Sequence, residues 1–153
     1  MRYRRHLPIL TASVLLALAS YPVQAADYGA YGKQTLMQLI NDYPGRSAGS
    51  SKEPQAADFM RSRMAHSGYQ QTEQPFSYKA TRGILSGQTI DSKNIVMTKK
   101  GQGSDKTLYV GAHYDTAFST ARLDRSTLQG LDDNSSGAAV LTELAQNLGN
   151  IDT

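Results

Sequence analysis

The sequence contains no cysteine, and this constrains the fold strongly because the chain also begins like an exported protein. Met1 to His6 form a positively charged segment, Leu7 to Ala19 form an apolar stretch, and Val23-Gln24-Ala25 provides a small-residue cleavage pattern. We therefore predict a signal peptide over residues 1–25, cleaved after Ala25, and export to the periplasm or the medium. Without disulfide bonds, the remaining 128 residues must rely on a core of their own, a metal or a partner.

The charges of the chain are divided unevenly between this leader and the rest. The sequence has 16 Lys+Arg and 13 Asp+Glu, and three of the arginines lie at positions 2, 4 and 5. Their removal leaves 13 basic and 13 acidic side chains, so a basic surface for nucleic acid is excluded. The apolar stretch of the leader is shorter than the ~20 residues of a bilayer span, so we expect no membrane association after cleavage. An uncleaved N-terminal anchor is the alternative.

Three helices are predicted from apolar residues that recur with a period of 3.6. The first ends at Pro44-Gly45, and the second begins near Glu53-Pro54. The third begins with Ser135 or Ser136 as its cap. The predicted buried faces are Leu36, Leu39, Ile40 and Tyr43 in the first helix, Ala57, Met60 and Met64 in the second, and Val140, Leu141, Leu144 and Leu148 in the third.

Strand-like runs lie between the second and third helices. Phe76 and Tyr78 alternate with polar residues, and Pro75 favours an edge position for that strand. Asn94–Thr98 and Leu108–Ala112 are further short runs with β propensity. This order predicts an α/β fold with a mostly parallel central sheet. Because a further strand should follow the last helix in such a sheet, we expect the chain to be the front part of a larger domain.

Two segments carry side chains suited to metal chemistry. Gly111–Thr116 lies at the C-terminal end of the last predicted strand, and Gly130–Gly137 leads into the last helix. In an open α/β sheet, ligands gather where the strands end and the following helices begin, so we expect both segments to face one crevice.

The residue types in these segments favour zinc. His113 offers an imidazole nitrogen, and Asp115 is placed to bond the other nitrogen of the ring. Asp132 and Asp133 bring together two carboxylates, which repel each other unless a cation lies between them. Zinc accepts this mixed set of histidine and carboxylate ligands.

The same residues also have simpler interpretations. A single His-x-Asp arises by chance, and Asp-Asp-Asn-Ser-Ser-Gly alone can form a turn and a helix cap. The spacing does not fit an EF-hand, and Ser135 and Ser136 lack the Gly-x-Ser-x-Gly elbow of a serine hydrolase. Arg46 is interpreted as a solvated loop arginine, with binding of a substrate carboxylate as the alternative.

Together and in this order, Gly-Ala-His-Tyr-Asp-Thr and Leu-Asp-Asp-Asn-Ser-Ser-Gly resemble the co-catalytic zinc aminopeptidase family, which includes aminopeptidase Y-like enzymes and glutamate carboxypeptidase relatives. The helix-loop-helix at residues 36–68 also fits the family. The resemblance implies that residues 26–153 are the N-terminal part of a zinc-exopeptidase-type α/β/α domain, truncated at its C-terminus. The implied activity is removal of N-terminal residues from peptides or proteins, with two zinc ions in the complete enzyme.

The family pattern assigns a role to each residue of the two motifs. It implies that His113 ligates one zinc ion, that Asp133 bridges both ions, and that Asp115 serves catalysis by orienting His113. Asp132 and Asn134 would lie beside them, and the peptide bond between Asp133 and Asn134 would be cis. The family's general-base glutamate and remaining ligands would lie further downstream, so the resemblance implies that this chain alone is inactive.

Two alternatives stay open at the level of sequence. One is a non-catalytic binding domain on the same fold, and the other is a relative of the zinc acyltransferases or cyclases. The presence of His113, Asp115 and Asp133 together argues against the first. The Asn-Ser-Ser-Gly continuation fits peptidases better than the second.

Overall fold

A computed structural model describes residues 27–66, 68–82, 85–103, 105–116, 129–149 and 151, so the predicted signal peptide lies outside the described residues. The elements in chain order are helix α1 (Ala30–Asp42), helix α2 (Glu53–Met64), strand β1 (Tyr69–Lys79), strand β2 (Thr89–Lys99), a single turn over Leu131–Ser135, and helix α3 (Ser136–Gly149). Helices and a sheet are both present, which confirms a mixed α and β fold. Within the described ranges, no helix is long and apolar enough to cross a membrane.

Helix α1 confirms the first predicted helix, and its ends follow from local sequence. Gly29 precedes it with a φ of 98°, a conformation that glycine adopts without steric cost. The helix ends just before Pro44, whose ring restricts the preceding residue to non-helical conformations. Its fully buried positions are Gly32, Thr35 and Leu39, while the other predicted face residues, Leu36, Ile40 and Tyr43, are partly buried.

Helices α1 and α3 approach each other closely because small residues meet at their contact. A Cβ added to Gly32 would lie 2.9 Å from the carbonyl oxygen of Ala139, so only glycine fits there. The hydroxyl of Thr142 donates to Thr35 Oγ1 at 3.1 Å, and both side chains are fully buried. This pair supplies a hydrogen bond inside an interface that excludes water.

Helix α2 completes the core from the other side. Pro54 lies in its first turn, as predicted, and Ala57, Met60 and Met64 are buried, as predicted. The central cluster of buried side chains is Leu39, Ala56, Met60 and Ala138, with Tyr43, Phe59, Ile95 and Tyr114 packed against it. The core therefore joins the three helices to strand β2 and to the segment that contains His113.

Strands β1 and β2 form an antiparallel pair whose register runs from Tyr69 opposite Lys99 to Lys79 opposite Thr89. Both predicted runs in this region are confirmed as strands. Pro75 lies opposite Lys93, and within the described residues the sheet has two strands, so each strand is an edge where proline is tolerated. The predicted parallel sheet is not observed among these residues.

Leu108–Ala112 was predicted as a buried strand, and this prediction is wrong for the described structure. The segment has no regular secondary structure, and Leu108 and Tyr109 are 85% and 87% exposed. A strand is stabilised by hydrogen bonds to a neighbouring strand, and within the described residues neither β1 nor β2 pairs with this segment.

The predicted buried stripe of α3 is also wrong. The buried residues are Ala138, Ala139, Thr142 and Ala145. In contrast, Val140 is 68% exposed, and Leu148 is exposed as well. The small residues are buried because only they allow the close approach of α1 at Gly32.

Candidate metal centre

The segment after Ala112 presents His113 and Asp115 to solvent on the same side. His113 Nδ1 lies 3.0 Å from Asp115 Oδ1, and the two side chains are 51% and 37% exposed. Asp115 therefore contacts Nδ1, and the other ring nitrogen, Nε2, is left for a second contact. The contact agrees with the prediction that Asp115 is placed to bond one nitrogen of the His113 ring.

Tyr114, between these two residues, packs against the core and is held by hydrogen bonds at its backbone carbonyl and at its hydroxyl. Its backbone carbonyl accepts a hydrogen bond from Arg46 Nε at 2.5 Å. Its hydroxyl donates to Glu53 Oε1 at 3.1 Å and contacts the carbonyl of Lys93 at the same distance. Burial raises the pKa of the Tyr114 hydroxyl, and the nearby Glu53 carboxylate adds to this effect. Tyr114 therefore remains a neutral donor and fixes the backbone that carries His113 and Asp115.

The second segment reaches α3 through an unusual backbone path. Gly130 has a φ of 59°, and a Cβ at this position would lie 2.5 Å from Thr116 Cγ2 and 2.9 Å from the carbonyl oxygen of Asp133. The peptide bond between Asp133 and Asn134 is cis, as the family resemblance implied. Glycine at position 130 is thus required both by its conformation and by its contact with the first segment.

The N-terminus of α3 is capped by a residue other than the two predicted. Asn134 Oδ1 accepts a hydrogen bond from the backbone N–H of Gly137 at 3.0 Å. The predicted caps bond elsewhere, because Ser135 Oγ donates to the carbonyl of Gly130 and Ser136 Oγ donates to the carbonyl of Asp132. Asn134 thus ties the segment that bears Asp133 to the start of the helix.

The two segments meet at His113 and Asp133. His113 Nε2 lies 2.9 Å from Asp133 Oδ1, and the Asp133 side chain is 70% exposed. The predicted proximity of the two segments is therefore confirmed, and Asp115, His113 and Asp133 form a continuous row of contacts. Asp132 is exposed beside the row. Among the residues that the structure describes, no group of three or more such side chains converges on a single metal position.

Arg46 is fully buried beneath this row, so the sequence interpretation of a solvated loop arginine is wrong. Its Nη1 donates to the carbonyls of Leu39, Tyr43 and Gln129, and its Nη2 donates to Ser135 Oγ. Burial lowers the pKa of Arg46 to about 10, an effect that the charge of Asp115 partly offsets, so the guanidinium is still charged at neutral pH. A fully buried side chain is also excluded from binding a substrate carboxylate in this conformation.

A shallow cavity of about 420 Å³ adjoins the site. One wall is formed by residues 110–112 and another by Asn134, Gly137 and the apolar residues of α3 at positions 140, 141 and 144. The residues directly before His113 and directly after Asp133 therefore line this hollow. Sequence analysis did not single out Tyr114 or Glu53 as supports of the site, and the only signal for Arg46 was its place in a loop of small residues.

The donor set at this position fits zinc. An imidazole nitrogen and a carboxylate oxygen lie 2.9 Å apart, and both belong to the ligand types that zinc prefers. A carboxylate on the second nitrogen of the histidine is the usual outer contact of a zinc-bound imidazole. The described residues thus supply two donors and one orienting aspartate, out of the four or so ligands that each zinc ion takes.

Comparison with known proteins connects both segments to a class of proteolytic enzymes. Residues 94–152, which include His113 and Asp133, match Peptidase family M28. The match confirms the resemblance to a peptidase family that the two motifs predict.

The chain is also similar to the alkaline phosphatase isozyme conversion protein of Escherichia coli strain K12. The two are 28% identical over 135 residues, which are 82% of this chain and 39% of the relative. The stretch at residues 127–134 predicts this same relative within the family, and the comparison confirms it. The chain spans about two fifths of the length of the relative.

Proposed function

We propose that this chain is the N-terminal part of an exported zinc-dependent aminopeptidase that removes N-terminal residues from peptides or proteins. The observation that carries the proposal is the contact of His113 Nε2 with Asp133 Oδ1 at 2.9 Å, inside a segment that matches a peptidase family. Asp115 contacts the opposite ring nitrogen, Nδ1, so Nε2 of the exposed His113 side chain can bind a metal. This arrangement favours a metal-binding role for His113 over a purely structural one.

Each residue of the row has a distinct task in this proposal. His113 supplies a neutral nitrogen, Asp115 holds the proton of Nδ1 and the orientation of the ring, and Asp133 supplies a carboxylate oxygen. Bound zinc would polarise a scissile carbonyl and lower the pKa of a coordinated water towards about 7. Asn134 keeps Asp133 in place through its cap on α3.

Hydrolysis requires more groups than the described residues bring to this site. Two donors are too few to hold two zinc ions, and no described Glu lies in the row to act as general base. We propose that the chain as it stands binds zinc weakly and does not hydrolyse peptides. Release of N-terminal residues from a peptide by purified residues 26–153 would contradict this part of the proposal.

Zinc titration of the purified chain tests the metal centre. We expect wild-type chain to bind zinc, and we expect His113→Ala and Asp133→Asn to abolish the binding. Asp115→Asn should weaken the affinity by about 10–100-fold, because it removes the group that orients the ring. His66→Gln is the matched control, since His66 is the other histidine among the described residues and packs against the ring of Tyr31, with the ring centres 5.7 Å apart. Equal zinc binding by wild type and His113→Ala would refute the proposed site.

Export is tested separately. We propose that residues 1–25 are removed during secretion, and this places Ala26 at the mature N-terminus. N-terminal sequencing of the secreted protein should therefore begin with Ala-Asp-Tyr-Gly. A secreted product that begins at Met1 would contradict cleavage and favour an uncleaved anchor.

A further inference from the structure

We propose, building on the metal centre proposed above, that Arg46 is a positioning residue that sets the spacing between His113 and Asp133. Its guanidinium joins three parts of the chain that are far apart in sequence. It bonds the carbonyls at the end of α1, the carbonyl of Tyr114, and both Gln129 and Ser135. Tyr114 belongs to the segment that carries His113, and Ser135 belongs to the segment that carries Asp133.

The contacts of Arg46 bracket each donor closely. Tyr114 is the residue directly between His113 and Asp115, so its carbonyl moves only if the His113 backbone moves with it. Ser135 follows Asp133 by two residues and bonds Arg46 Nη2 through its buried hydroxyl. A shift of the guanidinium by a fraction of an ångström therefore changes the position of both donors relative to each other.

Contacts other than the side-chain hydrogen bonds of Arg46 also hold the two segments around residue 46. The backbone N–H of Thr116 donates to the carbonyl of Arg46 at 3.4 Å, so the main chain of residue 46 also holds the first segment. Gly130 lies against Thr116 and against the guanidinium, where an added Cβ would come within 3.4 Å of Arg46 Nη2. The space around the guanidinium is thus filled from both sides.

Lysine should be unable to replace arginine here. A guanidinium presents N–H donors on three nitrogens in one plane, and Arg46 uses all three: Nε bonds one acceptor, Nη1 is shared among three, and Nη2 bonds one. A lysine ammonium keeps the charge but has three donors on a single nitrogen. In Arg46→Lys, the acceptors on Tyr114 and on Ser135 would therefore compete for one donor group.

Arg63 provides a matched control within the same chain. It also ties two elements together, because its Nε donates to Thr35 Oγ1 at 2.9 Å and its Nη2 donates to the carbonyl of Tyr31 at 2.8 Å. Its guanidinium lies 3.5 Å from the centre of the Tyr31 ring. Arg63 joins α2 to α1 and contacts neither zinc-donor segment, so Arg63→Lys reports the cost of losing a structural arginine alone.

The experiment compares Arg46→Lys with Arg63→Lys by two readouts on the purified chain. The first is zinc affinity, measured by competition with a chromophoric chelator. The second is hydrogen exchange of the Thr116 and Ser135 amides without metal. The Thr116 amide donates to the carbonyl of Arg46, and the Ser135 amide donates to the carbonyl of Gly130. For Arg46→Lys we expect 10–100-fold weaker zinc binding and at least tenfold faster exchange at both amides. For Arg63→Lys we expect less than a twofold change in zinc affinity and in the exchange rate of either amide.

The two readouts separate this proposal from the proposed function. If wild-type chain binds no zinc, the metal centre is wrong, and the exchange comparison still decides whether Arg46 positions the two segments. Unchanged exchange at Thr116 and Ser135 in Arg46→Lys overturns the positioning role, and so does an equal acceleration in Arg63→Lys.

A milder pair of variants applies if Arg46→Lys does not fold. Ser135→Ala removes one acceptor of the guanidinium, whereas Ser62→Ala removes an exposed hydroxyl that bonds the carbonyl of Phe59 on α2. We expect three- to tenfold faster exchange at the Thr116 amide in Ser135→Ala and no change in Ser62→Ala. The same exchange rate in both variants overturns the proposal.

Discussion

The two sides of helix α3 differ in a way that hydrophobicity alone does not explain. The side that faces α1, called here the closed side, consists of Ala138, Ala139, Thr142 and Ala145, all buried. The other, called the open side, consists of Val140, Leu141, Leu144 and Leu148, which are larger and yet partly or mostly exposed. Small size, rather than apolar character, therefore decides which side packs, because α1 comes close enough to exclude anything larger than alanine or threonine.

The largest expected effect comes from enlarging the contact that closes this interface. In Gly32→Val, the new Cβ would lie 2.9 Å from the Ala139 carbonyl, which is backbone and can move only with the whole helix. We expect a loss of about 3 kcal/mol in the free energy of unfolding, measured by urea denaturation. Gly101→Val is the control, because a Cβ there meets nothing within 4 Å. Equal stability of the two variants would show that the helices are not closely packed.

A smaller loss is expected from the hydroxyl pair inside the closed side. Thr142→Val keeps the volume of the side chain but removes hydrogen bonds to Thr35 Oγ1 and to the Ala139 carbonyl. We expect a loss of about 1 kcal/mol by urea denaturation. Thr98→Val on the exposed part of β2 should change stability by less than about 0.5 kcal/mol. A stabilised Thr142→Val variant would contradict the role of the hydroxyl pair.

Glu143, at the border between the two sides, should make stability depend on pH. The backbone N–H of Gly32, in the first turn of α1, donates to its carboxylate at 2.8 Å and lowers the pKa of Glu143 below its ordinary value of 4.5. The folded state thus binds the proton less readily than the unfolded state. The contribution is present above pH 4.5 and is lost as the pH falls further.

Thermal unfolding of Glu143→Gln tests this contribution. At pH 7 we expect the variant to melt about 2–4 °C below wild type, because it removes a negative charge from the N-terminus of α1. Near pH 3 the two melting temperatures should converge. A Glu143→Gln difference that persists at pH 3 would rule out the charge as its cause.

The smallest effect is expected on the open side. Val140 is 68% exposed, so Val140→Ser removes little buried area and should change the free energy of unfolding by at most about 0.5 kcal/mol. Urea denaturation measures the difference from wild type. A loss above about 1.5 kcal/mol would mean that Val140 is covered in solution, and the contrast between the two sides would then be wrong.

The elements that could be predicted from the sequence are those set by neighbouring residues. Helices α1 and α2 could be predicted because their signals are local. These signals are the 3.6-residue period of the apolar side chains, Pro54 in the first turn of α2, and Pro44-Gly45 after the end of α1. The strand predicted at residues 108–112 was wrong because a strand depends on a partner elsewhere in the chain. The open side of α3 was predicted as buried because the sequence does not show that Gly32, more than a hundred residues earlier, lies against Ala139.

The candidate site shows the same division. The row of Asp115, His113 and Asp133 could be predicted, since each donor belongs to a short motif whose chemistry is evident from its residue types. The support beneath it could not, because Arg46 bonds residues 68, 83 and 89 positions away. An arginine is rarely buried unless its N–H groups find acceptors, and no pattern of neighbouring residues indicates that such acceptors are present.

The anchoring of Tyr114 limits how this motif can be transplanted. The stretch that matches the peptidase family begins at residue 94, yet Tyr114 is held from outside it by Arg46 and Glu53. A protein engineer who moves only the matched stretch into another scaffold would carry His113 and Asp115 without the bonds that aim them. The portable unit therefore includes α1, whose last carbonyls also bond Arg46, and a shorter graft would keep the residues of the motif but lose their geometry.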